Sequence, residues 1–488
     1  MKKFFIALLK GLRVILSVAL ISAIAFGIYY YLDKAFETKG ESSISNFKSF
    51  PKDSLDVLVV GSSHGQYSFD PSIFYEETGL YSYSLTSACQ PLEVSYYFIK
   101  ETLKKHDIKL VILEGYRVTP ESEKCSDDSC YVLPITALTG IEKYKVIDFL
   151  SEEKAETYYF PLTNNHNDWK IKEDIEFLKP ENALKKDKLN RNTGYIYRDD
   201  LNEYPDNWWH SNLYDHDIEA EIKPEVLEYL NAIYDLCKEN NIALFLYKTQ
   251  VDGIDEYNQS VRHLLWKWAD ERNIPYYDFI DNLWDDNFYI NIHTDSFHPY
   301  INGAGIVTNR IANEIKKMNI DFNHKSFEEL DNLYEYNSRI NLVQMTRFEH
   351  DPKQYFRILS DGFSGTIYLR FIGHGDDLCD PIYEALRKMG ISDFDRNKNC
   401  FAIINNGKLI SISDTEINET YNDKKVIINN DGIFIADKEY KGNTHYLTFL
   451  FDSEKYAWDQ DVMTYKEIDV FSGMDLGFID YDDVKRTN

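Results

Sequence analysis

The sequence predicts an α/β protein: a parallel sheet flanked by helices, with a transmembrane helix before it and a mostly β domain after it. Three observations carry this expectation. Short apolar runs alternate with amphipathic helical stretches from Leu55 to Met318. The chain starts with basic residues followed by a long uncharged run. Beyond about residue 325 it changes to short strands separated by polar turns. Strands that alternate with helices imply a parallel sheet covered on both faces. At 488 residues the chain exceeds what one core usually supports, so two or three domains are expected.

In chain order, Lys2, Lys3, Lys10 and Arg13 precede Val14–Leu32, which carries no charge. That run is long enough to cross a hydrocarbon core as a helix, and the basic residues ahead of it keep the N-terminus cytoplasmic. Ala23-Ile24-Ala25 offers a small-residue cleavage site, but Phe26–Tyr31 stays apolar, which favours an uncleaved anchor. Residues 33–50 read as a polar stalk. The strands expected next are Leu55–Val60, Lys109–Glu114, Ile242–Tyr247 and Ile274–Phe279. Helices are expected over Leu92–Lys105, from Pro224 (where proline suits a first turn) towards Glu239, over Glu256–Arg272 and over Ala304–Met318. In the last of these, Ile306, Val307, Ile311, Ala312 and Ile315 share one face. Between Ser151 and His216 the rhythm breaks into a polar, aromatic stretch with Asn164–Trp169 and Asn207–His210, read as an insertion. In the last third, strands are expected over Gly365–Ile372, Cys400–Asn405, Lys408–Ile412, Val426–Asn429 and Tyr446–Phe451, with a helix over Asp380–Met389. The domains expected are therefore 1–39 (anchor and stalk), 40–325 (catalytic, with the insertion at about 151–216) and 326–488 (β-rich).

Composition excludes some functions. The net charge of −28 repels phosphate backbones, so nucleic acid is discounted as a partner. Six cysteines are too few for a disulfide framework. Cys125 and Cys130 either close a small loop or stay as thiols, and the sequence leaves Cys379 with Cys400 equally open. No zinc spacing is present. His293, Asp295 and His298 lack a further ligand cluster, so no metal and no cofactor are expected.

The chemistry-bearing residues are Gly61-Ser62-Ser63-His64-Gly65, directly after the first strand, and Asp295-Ser296-Phe297-His298 far downstream. A serine hydroxyl needs a base in hydrogen-bond reach, and that base needs an orienting partner. Ser63, His298 and Asp295 supply the three roles in order. The first segment matches the nucleophile-elbow pattern G-x-S-x-G. However, the serine follows the first strand of the sheet rather than a later one. Its aspartate and histidine also lie three positions apart, which suits one loop presenting both. Ser62 adjoins the nucleophile and Lys248 ends the third strand, so both are expected near substrate, while His64 either touches substrate or, the favoured reading, packs at the turn.

On these residues the chain resembles the SGNH/GDSL hydrolase superfamily over about residues 50 to 320. Gly61-Ser62-Ser63 is similar to its first block, with serine in place of aspartate, and Asp295 with His298 matches its last block, D-x-x-H. Tyr83–Pro91 and Lys248-Thr249-Gln250 resemble a bacterial branch that is DltD-like or of the alginate-acetylation type. The resemblance implies a flavodoxin-like parallel sheet and an acyl-ester activity on cell-envelope or exported polysaccharide. It also implies a catalytic domain outside the cytoplasm and a membrane-bound O-acyltransferase as a partner. The oxyanion donors it implies are backbone N–H groups at Ser63 and at Ser87 or Ala88. The third block departs, since Glu114-Gly115-Tyr116 stands where the family has an asparagine. That departure tilts the reading towards acyl transfer or a specialised esterase, with a non-catalytic glycan-binding factor as the alternative. The distal domain resembles the ILEI/PANDER-like module in Ile358–Asp361, Gly365–Ile372 and Tyr446–Asp452, with Lys441-Gly442-Asn443-Thr444 matching its usual R-G-x-N only in part.

Overall fold

The computed structural model describes residues 2–36, 45–119, 129–159, 192–196, 221–249, 256–279, 298–299, 301–348, 366–372, 387, 390–391, 398–405, 408–436, 438–441, 446–452, 463–469 and 475–480. The expected helix over Asp380–Met389, most of the insertion, Cys125 and Cys379 lie largely or wholly outside these residues. Helix α1 (Lys2–Phe36) contains an apolar stretch, Leu9–Tyr31, long enough to cross a membrane.

The central sheet holds five parallel strands, β1 (Val57–Gly61), β2 (Ser82–Thr86), β3 (Leu110–Glu114), β4 (Ala243–Lys248) and β5 (Tyr276–Asp278), in the order β2-β1-β3-β4-β5. This is the doubly wound order of flavodoxin-like sheets. Side-chain alternation assigns the two faces. Leu58, Val60, Val111, Leu113, Leu244 and Leu246 point into one core. Val57, Val59, Leu110, Ile112, Phe245 and Tyr247 point into the other. The helices of this unit are α2 (Ser63–Ser68), α3 (Pro71–Thr78), α4 (Leu92–Leu103), α5 (Ser129–Ala137), α6 (Gly140–Ile147), α7 (Glu152–Tyr159), α8 (Pro224–Glu239), α9 (Glu256–Asp270), α10 (Ile301–Lys316) and α11 (Glu328–Phe348). Residues from α4, α6, α8, α9 and α11 fill the first core. Phe74 of α3 with Val307, Ile311, Ala312 and Ile315 of α10 fills the second.

Two sequence expectations change. Strand β2 was not anticipated, because Ser82-Tyr83-Ser84-Leu85-Thr86 carries three hydroxyl residues, yet it is buried throughout. The segment after residue 325 is not a set of short strands. It is the 21-residue helix α11, whose Leu330 and Tyr334 are both fully buried in the first core. The β-rich region therefore starts later than residue 326, at β6 (Thr366–Phe371) among the described residues.

From there the strands form two antiparallel sheets. One runs β15-β14-β13-β6-β7-β8 and the other β12-β11-β10-β9. They are β7 (Cys400–Asn405), β8 (Lys408–Ser413), β9 (Ile417–Tyr421), β10 (Lys424–Asn429), β11 (Gly432–Ile435), β12 (Lys438–Lys441), β13 (Tyr446–Asp452), β14 (Met463–Asp469) and β15 (Asp475–Asp480). Tyr368, Phe401 and Ile403 of the first sheet meet Ile417, Val426, Ile428, Ile433 and Ile435 of the second. Cys400 stands as a buried free thiol, and burial pushes its pKa up to about 12.

Candidate active site

Strand β1 ends at Gly61 because only glycine fits there. Its φ is +151°, and an added Cβ would stand 2.6 Å from Glu114 Cβ. The chain then turns straight into α2. Ser62 caps that helix in an extended conformation, its Oγ accepting from the His64 N–H at 3.3 Å. Gly65 lets α2 lie close to the sheet, since a Cβ would meet Thr86 Cγ2 at 3.0 Å and Glu114 Cβ at 3.3 Å. Ser63 is thus the first residue of α2, half-buried, beyond the C-terminal end of a central strand. Open parallel sheets bind ligands at that edge.

His298 reaches the same place from the far side of the sequence. Its Nε2 lies 2.9 Å from Ser63 Oγ, across a separation of 235 residues. Helix α10, which starts three residues later, fixes that approach. Thr308 Oγ1 accepts from the Asp70 N–H at 2.8 Å and donates to the Ser68 carbonyl at 3.4 Å, tying α10 to the α2–α3 junction. The Tyr67 ring, one turn along α2 from Ser63, meets the His298 ring edge-on at 4.9 Å, and the His64 ring stands 5.2 Å from it. A hydroxyl and an imidazole at this distance form the core of a proton-transfer pair.

Beneath this pair lies a buried polar layer. Glu114 Oε2 accepts from Ser62 Oγ at 2.8 Å and from the Ser62 N–H at 3.3 Å, while Oε1 accepts from the Tyr116 N–H at 2.7 Å. Burial raises the pKa of this carboxyl, against the hydrogen bond from Ser62, the positive charge of Lys248 and the two backbone N–H groups. Lys248 Nζ stands 5.0 Å from the Tyr116 ring centroid. That ring stacks on His64 at 3.8 Å, and His64 Nδ1 lies 3.2 Å from Thr249 Oγ1. The ends of β1, β3 and β4 are therefore linked under the nucleophile candidate.

Of the residues expected near substrate, Ser62 and Lys248 are only 1% and 0% exposed, and His64, at 2%, is packed at the turn. They lie beneath Ser63, where the ends of β1, β3 and β4 converge. Ser87 and Ala88 follow β2, which pairs with β1 in register Gly61↔Thr86, so their turn lies at the same sheet edge as Ser63. The turn closes through Gln90 N–H to the Ser87 carbonyl at 3.2 Å, with Ser87 buried and Ala88 exposed. Asp295, His293 and Gln250 lie outside the described residues. Among the described residues no group of three or more His, Cys, Asp or Glu is placed to hold a metal ion.

Sequence reasoning missed Tyr67, named Tyr116 and Thr249 only as neighbours within motifs, and saw Glu114 only as a missing asparagine. A carboxylate ending the apolar run Leu110–Leu113 was the available signal, because such a group needs buried partners. Tyr67 would have followed from reading residues 63–68 as helix, which puts positions i and i+4 on one face.

No family model and no curated protein matches this chain. Among the solved structures that match is one from Bacteroides fragilis NCTC 9343, described as a candidate acylhydrolase. It aligns over 56% of this chain and 93% of its own, with 12% identity and a TM-score of 0.27. A likeness that distant carries no functional argument.

Proposed function

We propose that this chain is a membrane-anchored, extracytoplasmic serine esterase or O-acyltransferase acting on acyl esters, acetyl foremost, of cell-envelope or exported polysaccharide. Ser63 Oγ attacks the ester carbonyl carbon as His298 Nε2 takes its proton. The C–O bond to the leaving alkoxide breaks, and His298 returns the proton to that oxygen. Water or a sugar hydroxyl then attacks the acyl-serine by the same route in reverse. Asp295, three residues before His298, is the residue that would orient the imidazole. Backbone N–H groups at Ser63 and at the Ser87–Ala88 turn would hold the oxyanion. Half-buried Tyr67 and Tyr116 suit a sugar ring at the site. The observation that carries the reading is the 2.9 Å separation of Ser63 Oγ and His298 Nε2.

A second reading, a non-catalytic glycan-binding or assembly factor, draws on Glu114. Its carboxylate takes the Ser62 N–H and puts a carboxyl group where an asparagine would have offered a donor. Labelling with a fluorophosphonate serine probe separates the two. The enzyme reading expects the wild type to label, Ser63→Ala not to label, and His298→Ala to label roughly 10³-fold more slowly. An unlabelled wild type would leave the binding reading standing. Product analysis with and without an added glycan acceptor then separates transferase from esterase.

A further inference from the structure

The distal end of the membrane helix meets the α/β unit at Tyr29. Helix α1 is exposed from Leu9 to Ile28, and only at its distal end do Tyr29 and Tyr31 become half-covered. There the Tyr29 hydroxyl donates to the Tyr159 carbonyl at the end of α7, at 3.0 Å. Tyrosines at the end of an apolar span mark the headgroup level, so the end of α7 lies at that level too. The Tyr159 ring stacks on Tyr144 of α6, centroids 5.8 Å apart at 10°.

Helix α6 has two unlike faces. Glu142, Val146 and Ile147 are buried against the unit. On the other side Ile141 is 66% and Tyr144 43% exposed, at i and i+3. Lysines flank the helix, with Lys145 on the outer face itself. Lys145 is exposed, Lys143 half-buried, and the Lys100 and Lys104 side chains are 36% and 40% exposed. Lys100 and Lys104 are held by carboxylates of the unit, and Glu152 and Glu156 of α7 are exposed. Glu142 is buried and paired with both Lys100 and Lys104, Glu101 binds Lys104 at 2.8 Å, and Asp148 accepts the Tyr159 hydroxyl.

We infer that the outer face of α6 is a lipid-docking surface. It seats the α/β unit on the outer leaflet of the bilayer that holds α1, with Ile141 and Tyr144 in the headgroup–acyl boundary and Lys145 at the anionic headgroups. An exposed apolar and aromatic pair with a lysine beside it suits the headgroup boundary of an anionic bilayer. This rests on α1 being retained as an anchor and is independent of the proposed chemistry at Ser63. It also supplies a role for the helices between β3 and β4, which the site does not use.

The full chain in nanodiscs tests it, with the photo-crosslinker benzoylphenylalanine replacing Ile141, Tyr144 or, as a control on the other face of the sheet, Lys317. In discs containing phosphatidylglycerol, lipid adducts at positions 141 and 144 should exceed those at 317 by roughly tenfold. In discs of phosphatidylcholine alone that excess should shrink several-fold. Equal yields at the three positions, or no adducts at 141 and 144 while the intact chain stays in the disc, would overturn the docking surface. An intact-mass measurement showing that residues before the stalk are gone would overturn the anchor and the docking surface together.

Discussion

Glu114 holds Ser62 at two atoms, and Ser62 in turn sets the first turn of α2 through the His64 N–H. Its carboxylate therefore acts on the hydroxyl at Ser63 through geometry, without touching it. Misplacing a reacting group by about 1 Å can cost 10²-fold in rate. Replacing Glu114→Gln puts an amide N–H against a donor and removes the negative charge facing Lys248. We expect kcat on an aryl acetate to fall roughly 10- to 100-fold with KM nearly unchanged, and Glu114→Asp to recover part of it. An unchanged kcat in Glu114→Gln would show that this layer does not position the nucleophile. At this scale the sequence displayed the serine and the histidine, because a strand running directly into small residues and a D-x-x-H loop are local patterns. Lys248 could not be placed from sequence, since whether a strand-end lysine points outward or inward depends on neighbouring strands far away in the chain.

Asp70 caps α3, its Oδ1 accepting from the Ser72 N–H and Oγ at 2.8 and 2.6 Å, while Oδ2 takes the Asn341 amide of α11. It is fully buried, and burial raises its pKa from 3.8 to about 6 despite those bonds. A carboxyl raised in the folded state contributes fully below its unfolded value, and the contribution is lost as pH rises through the folded one. Stability tied to Asp70 should therefore fall by on the order of 3 kcal/mol between about pH 4 and pH 7. Urea unfolding at several pH values checks this against Asp70→Asn. The gap between the two proteins should shift against the wild type as pH rises, and parallel curves would refute it. Among the elements, helices with strong apolar periodicity, such as α8 and α10, were legible close to their ends. Strand β2 was not, because Ser82, Ser84 and Thr86 carry hydroxyls and hide the apolar pattern of a buried strand. Ser84 Oγ pairs with Thr86 Oγ1 at 2.9 Å, and the Ser84 N–H donates to the Thr193 carbonyl at 3.0 Å. Residues 192–196 of the expected insertion thereby cover the sheet's edge, and Gly194 allows the contact. Its φ is +94°, and an added Cβ would stand 1.9 Å from the Ser84 carbonyl oxygen.

At the scale of the molecule, α11 decides where the α/β unit ends. Tyr334 is fully buried with its hydroxyl on the Ser82 carbonyl, and Asp331 accepts the hydroxyls of Tyr75 and Tyr81. A chain of residues 45–348 should unfold cooperatively. One of residues 45–325 should lose at least the roughly 3–5 kcal/mol of one large buried aromatic. Matching urea midpoints for the two would mean that α11 is not part of this unit. By itself the sequence determined the class of the fold, the apolar N-terminal helix and the order of serine, aspartate and histidine, because each is written in local periodicity, length or spacing. Only the tertiary structure decided that Ser63 and His298 meet, that Glu114 and Lys248 lie beneath them, and that α11 closes the sheet unit. Those facts depend on which distant segments share a sheet edge, and contact across hundreds of residues leaves no local pattern to read.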